Sequence, residues 1–191
     1  GPERVYPDPG FIAHGGAKAF HHHESEAGAT SVSIEVVSKQ IQPTDSVDYR
    51  RNRLHSSMAN HLINQRLSEM LEDPETPFTH ASIYSGIYLN YVKTAEINAK
   101  CPPEKWNQTL STLEQVLRRA LTHGFTDYEK ELARREFIAE LENAVKKAPT
   151  RESRHLARSI ISSLNNMEVF QSPQQRMELL GPMVESVSRE D

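Results

Sequence analysis

The sequence predicts an α+β domain, an antiparallel sheet with helices packed on one face. Three observations carry this. Period-two alternation of apolar and polar residues is confined to residues 30–36 and 83–101. Apolar stripes of helical period with capping signals dominate after residue 103, and no regular strand-helix-strand alternation runs through the chain.

Residues 1–28 are rich in Gly, Pro and His and hold no sustained period, so they read as a linker or extended arm, with the domain over 29–191. From Thr30, Val32, Ile34 and Val36 interleave with Ser31, Ser33 and Glu35, placing the apolar side chains on one side of a half-buried strand. Thr44 or Asp45 can cap the helix that follows. Leu54, Met58, Leu62, Ile63, Leu67 and Met70 line one side of it until Asp73-Pro74 ends it. Residues 83–88, then Ala95, Ile97, Ala99 and Cys101, alternate with polar neighbours, and the inward face switches near 90–93. Two antiparallel strands joined by a turn account for the switch, as would a single bulged strand.

The stretch 103–145 writes two amphipathic helices and their joint. Trp106, Leu110, Leu113, Leu117 and Leu121 recur at helical spacing, opposite Gln108, Glu114 and Arg118. Gly124 stops this helix, because glycine accepts the left-handed backbone that closes a C-terminus, and His123 complements the carbonyl end of the dipole. Thr126 to Glu129 fit a capping box, and Ala133, Phe137, Leu141 and Val145 form the second stripe. A further helix is expected from Thr150 to about Leu164, with Leu156, Ile160 and Leu164 facing inward. Ser172 to Gln175 open the last one, with Pro173 where a missing N–H is harmless, and Gly181-Pro182 should break or bend it. No internal repeat is visible.

With 191 residues, 37% apolar and 25% charged, the chain can bury one sizeable core. A formal charge of −4 and dispersed basic residues leave no electrostatic footprint for nucleic acid. Cys101 is the single cysteine, which excludes an internal disulfide and a cysteine zinc cluster and fits a small core residue at a strand end. No apolar run approaches the roughly 20 residues that span a bilayer. The missing initiator Met, the opening Gly-Pro and a capping pattern at 188–191 with no helix behind it suggest a piece of a longer chain.

Reactive chemistry is hard to place. In the run His21-His-His-Glu24-Ser25-Glu26, His21 and His23 share one side of an extended segment, and imidazole is a common zinc ligand. A helical zinc motif needs a further His where Ser25 stands, so an arm with adventitious affinity for nickel or zinc is the plainer reading. His55 and His61 fall on different helix faces, while His80, His123 and His155 stand singly. No serine has an elbow sequence, and no Gly-rich loop cradles phosphate. Glu129 and Glu131, or Glu140 and Glu142, lie two apart on helices and read as solvated faces, laced with Arg118-Arg119 and Arg134-Arg135. No catalytic residue and no metal ligand is expected.

The segment RRALTHGFTDYE, residues 118–129, resembles the helix joint of the non-catalytic domains in the pitrilysin/insulinase family of zinc metallopeptidases. The helix at 48–71, the PFTHAS segment at 77–82 and TRESRHLARSI at 150–160 follow in the order expected of bacterial members. The resemblance implies a metallopeptidase-like domain of that type. It would be inactive itself, packing beside the catalytic domain of the same polypeptide and helping to enclose a peptide substrate. Zinc would then belong to the catalytic domain, on its inverted His-x-x-Glu-His motif. A bacterial, periplasmic location goes with the resemblance; the segment itself does not specify one. A stand-alone interaction or scaffold module of the same fold is the alternative.

In the non-catalytic half of many members an Arg and a nearby Tyr hold the substrate backbone. Arg66-Leu67 resembles the Arg-Leu of that place, which makes Arg66 the candidate substrate-binding residue. The Gly-x-x-Tyr expected a few residues on is replaced by Glu75-Thr-Pro-Phe78, with Tyr84 as a displaced substitute.

Overall fold

A computed structural model of the chain describes residues 10, 11, 13, 15–26, 28–40 and 43–187. Part of the expected arm, including its first nine residues, and the capping pattern at 188–191 lie outside them. The elements are β1 (Thr30–Lys39), α1 (Val47–Met70), β2 (His80–Tyr88), β3 (Val92–Cys101), α2 (Trp106–His123), α3 (Asp127–Lys147), α4 (Ser153–Asn165) and α5 (Pro173–Ser186).

The strands form one antiparallel sheet in the order β1-β3-β2. Residues 83–101 are therefore parts of two strands rather than one bulged strand. The hairpin turns at Leu89 and Asn90, whose φ angles of 52° and 58° supply the left-handed pair that primed hairpin turns use. The Tyr91 N–H closes the turn on the Tyr88 carbonyl at 3.1 Å.

Register puts Ile34, Ile97 and Ile83 on one rung and Val32, Ala99 and Ala81 on the next. This face packs on Ile63 and Leu67 of α1 and Leu113 of α2. The opposite face carries Ser31, Ser33, Glu35 and the exposed Tyr84 and Tyr88. Helices thus cover one face, as alternation requires of a half-buried sheet. Val36 shares the inward face opposite Ala95, yet is 65% exposed, because the buried rungs end at Ile34.

Two apolar clusters share α1 as their wall. Its C-terminal half belongs to the sheet cluster, and its N-terminal half packs Leu54, Met58 and Leu62 against Ala133 and Leu141 of α3 and Met183 and Val184 of α5. Phe125, between α2 and α3, touches both.

Several elements differ from expectation in instructive ways. Ser46, not Thr44 or Asp45, caps α1, its hydroxyl accepting from the Tyr49 N–H, because Asp45 is taken by Arg50. In α2, fully buried Thr109 donates its hydroxyl to the Pro77 carbonyl at 3.0 Å, whereas Trp106 is exposed and Leu121 88% exposed. α4 begins at Ser153, after a short 3-10 turn over Ala148–Thr150. It buries no residue: Leu164, expected inward, is 70% exposed and Ile160 also reaches solvent. α5 runs unbroken through Gly181 and Pro182 to Ser186.

Candidate functional site

The candidate substrate residue lies where the two clusters meet. Arg66 projects from α1 toward the α2–α3 joint, its side chain 13% exposed. Its Nε donates to Glu129 Oε1 at 2.6 Å, and Nη2 donates to Glu129 Oε2 and to the Gly124 carbonyl, both at 3.0 Å. The guanidinium stacks over Phe125, 4.7 Å from the ring centroid. Nη1 is buried without a hydrogen-bond partner.

Glu129 completes the capping box of α3. Thr126 donates to it through its backbone N–H at 2.7 Å and its hydroxyl at 2.8 Å, and that hydroxyl accepts from the Glu129 N–H. The Arg66 hydrogen bonds hold the Glu129 carboxyl at about 2, well below the usual 4.5, with burial opposing and Thr126 helping. The expectation that Glu129 is a solvated helix-face carboxylate is thereby corrected. Its place in the capping box was legible, whereas its partner lies 63 residues away and leaves no local signal.

A second polar group, unforeseen in the sequence, pins the link between α4 and α5 to the start of α1. Arg50 donates to both Asp45 oxygens, at 2.5 and 2.6 Å, and to the Val169 carbonyl at 3.2 Å. Asp45 also accepts the Val169 N–H at 2.7 Å, and Glu168 pairs with Arg50 and Arg53. The Arg50 hydrogen bonds lower the Asp45 carboxyl below its ordinary range, against the opposing effect of burial.

Cavities of about 490 Å³ and 440 Å³ flank this group and share Arg53, Ser57 and Glu168 in their walls. The larger is bounded by α1, α3, α4 and the start of α5; the smaller runs toward the β2–β3 hairpin. Such volumes suit a small ligand or a short peptide segment. On the other side of α1, Asn64 covers the open edge of β2, donating to the Ile83 carbonyl at 3.1 Å and accepting its N–H at 2.9 Å.

The histidines do not converge. His22 lies 3.9 Å from Glu24 in an exposed segment, and His61 meets Glu136 at 2.6 Å as a bridge from α1 to α3. Among the described residues no group of three or more His, Cys, Asp or Glu is placed to hold a metal ion. Cys101 is a free, buried thiol at the end of β3.

No protein-family model matches the sequence, and no curated protein does. Solved structures do resemble it. The first half of the periplasmic protease PqqL from Escherichia coli superposes with a TM-score of 0.77 at 19% identity, over 86% of this chain and 35% of that one. An insulinase family protease from Yersinia pestis gives 0.72 at 13% identity, over 86% and 36%. A peptidase M16 inactive domain from Pseudomonas fluorescens gives 0.59 at 15% identity, over 85% and 36%. The chain has the fold of metallopeptidase-like domains of the pitrilysin/insulinase type, as the resemblance implied, and spans about a third of the length of these structures.

Proposed function

We propose that the chain is a non-catalytic domain of a bacterial zinc metallopeptidase of the pitrilysin/insulinase family, packing beside the catalytic domain of the same polypeptide and helping to enclose a peptide substrate. The observation that supports this reading is a fold shared with an M16 inactive domain, in a chain that covers about a third of the structure it matches. The periplasm is the compartment that goes with the likeness to PqqL.

In this reading zinc belongs to the catalytic domain. The described residues here do not fit it, since no three ligands converge, and no step passes through the metal. The domain contributes a shaped, stiff wall, with α1 braced from both ends by the Arg50 and Arg66 groups. A direct part for Arg66 runs through Nη1, the nitrogen with no internal partner, and requires the α2–α3 joint to open, because that nitrogen is buried. A peptide carbonyl reaching it would complete the guanidinium's donor set.

One observation favours a second reading, an interaction or scaffold module of the same fold without peptidase activity. The apolar stripe of α4 lies open to solvent, as a docking helix would. The natural reading frame separates the two: a His-x-x-Glu-His upstream of this segment supports the peptidase, and its absence supports the scaffold. For the chain itself, incubation with unfolded peptides and added zinc is expected to release no new termini. Chelator-sensitive hydrolysis overturns the reading.

A further inference from the structure

We propose that the cavity roofed by α4 binds the free C-terminal carboxylate of a peptide ending in an apolar residue. It contains four arginines in two chemically different states. Arg50 and Arg53 are committed to Asp45 and Glu168. Arg151, just before α4, and Arg176, in the first turn of α5, line the same cavity, and their guanidiniums have no hydrogen-bond or ion-pair partner among the described residues. They come from elements 25 residues apart in sequence, yet the fold sets both on one opening of about 490 Å³.

The apolar side chains of Leu54, Phe137, Leu141 and Leu180 line the same cavity. A forked guanidinium recognises carboxylate and phosphate alike, and two features choose between them. The apolar part of the lining asks for a hydrocarbon side chain on the same ligand as the anion. Glu140, also unpaired on the wall, repels a doubly charged phosphate but can accept a peptide N–H. A terminal residue with an apolar side chain, one negative charge and its own amide N–H meets all three demands.

The inference rests on the preceding reading only in taking a peptide as the ligand, and it fails by a different result. The test titrates the 191-residue chain by calorimetry with N-acetyl-Ala-Ala-Leu as free acid, the same peptide as C-terminal amide, and inorganic phosphate. The acid is expected to bind about tenfold or more tightly than the amide, with an affinity that falls as salt rises. Arg151→Gln and Arg176→Gln each lower the acid's affinity about tenfold and leave the melting temperature unchanged, both side chains being exposed. Equal binding of acid and amide, phosphate binding as tight as the acid, or no binding of the acid at millimolar concentration overturns the proposal.

Discussion

Arg66 and Glu129 join α1 to the first turn of α3 through two parallel hydrogen bonds, of 2.6 Å and 3.0 Å. The pair is mostly shielded from solvent, and the same guanidinium holds the Gly124 carbonyl and covers Phe125, so one side chain fixes the angle of the helix joint. Removing it as Arg66→Leu leaves Glu129 to Thr126 alone and strips the Gly124 carbonyl of its donor. A loss of about 1.5–3 kcal/mol is expected in urea denaturation, the usual worth of hydrogen bonds to charged groups. Unchanged stability would show that the guanidinium does not brace the joint.

The same pair sets a pH dependence. Glu129 ionises at about 2 in the folded chain against an ordinary 4.5, so the unfolded state binds more protons between those values. The stabilisation is complete above pH 4.5 and is lost progressively as pH falls from 4.5 toward 2. Asp45 acts in the same direction, its carboxyl being lowered by Arg50. In Glu129→Gln the group no longer titrates, so midpoint denaturant concentrations measured from pH 6 to pH 2.5 should fall less steeply than in the parent chain.

Gly124 ends α2 at φ 65° and ψ −143°, and its N–H donates to the Ala120 carbonyl. The positive φ was legible, but ψ falls outside the left-handed helical well, close to a region reserved for glycine. No atom other than its neighbours lies within 4 Å of a Cβ built there, so backbone strain alone decides the outcome. Gly124→Ala should cost about 1–3 kcal/mol, measured by thermal unfolding, while a compensating backbone shift would break the Arg66 contact to the Gly124 carbonyl.

What the sequence carried openly was local. The capping boxes at Thr126 and Ser172 are both present, and the α1 stripe of Leu54, Met58, Leu62, Ile63 and Leu67 is buried as spaced. These are decided within one or two helical turns. What it concealed depends on distant partners. Asp45 looks like a cap until Arg50 and Val169 claim it, and only the fold brings Val169 to a residue 124 positions earlier. Gly181-Pro182 reads as a break, yet Gly181 is buried in α5 beside Met177 and the helix continues. The bond from Arg66 to Glu129, 63 positions on, left no local signal either.

Thr109 shares the inward side of α2 with fully buried Leu113, so the centre of the apolar stripe stays in the core while its two ends do not. The Thr109 hydroxyl reaches the Pro77 carbonyl in a site with no solvent, while Trp106 and Leu121 are exposed. Thr109→Val keeps the shape but leaves that buried carbonyl without its side-chain donor. A destabilisation of about 1–3 kcal/mol follows from stranding a buried acceptor, and it should appear in equilibrium unfolding without loss of helical circular dichroism.

The last expectation separates buried from open apolar residues. Leu67 of α1 has no exposed surface, and Leu164 of α4, with the same side chain, is 70% exposed. Leu67→Ala empties part of the sheet cluster and should cost about 2–5 kcal/mol. Leu164→Gln removes no packing within the chain and should change stability by less than about 0.5 kcal/mol. If α4 docks on another domain of a parent polypeptide, the same Leu164→Gln change, made in that longer protein, loses stability that the isolated chain does not lose. Equal effects in the two settings would mean that no other domain of the parent covers the open stripe, which leaves it free for a separate partner as the interaction-module reading requires.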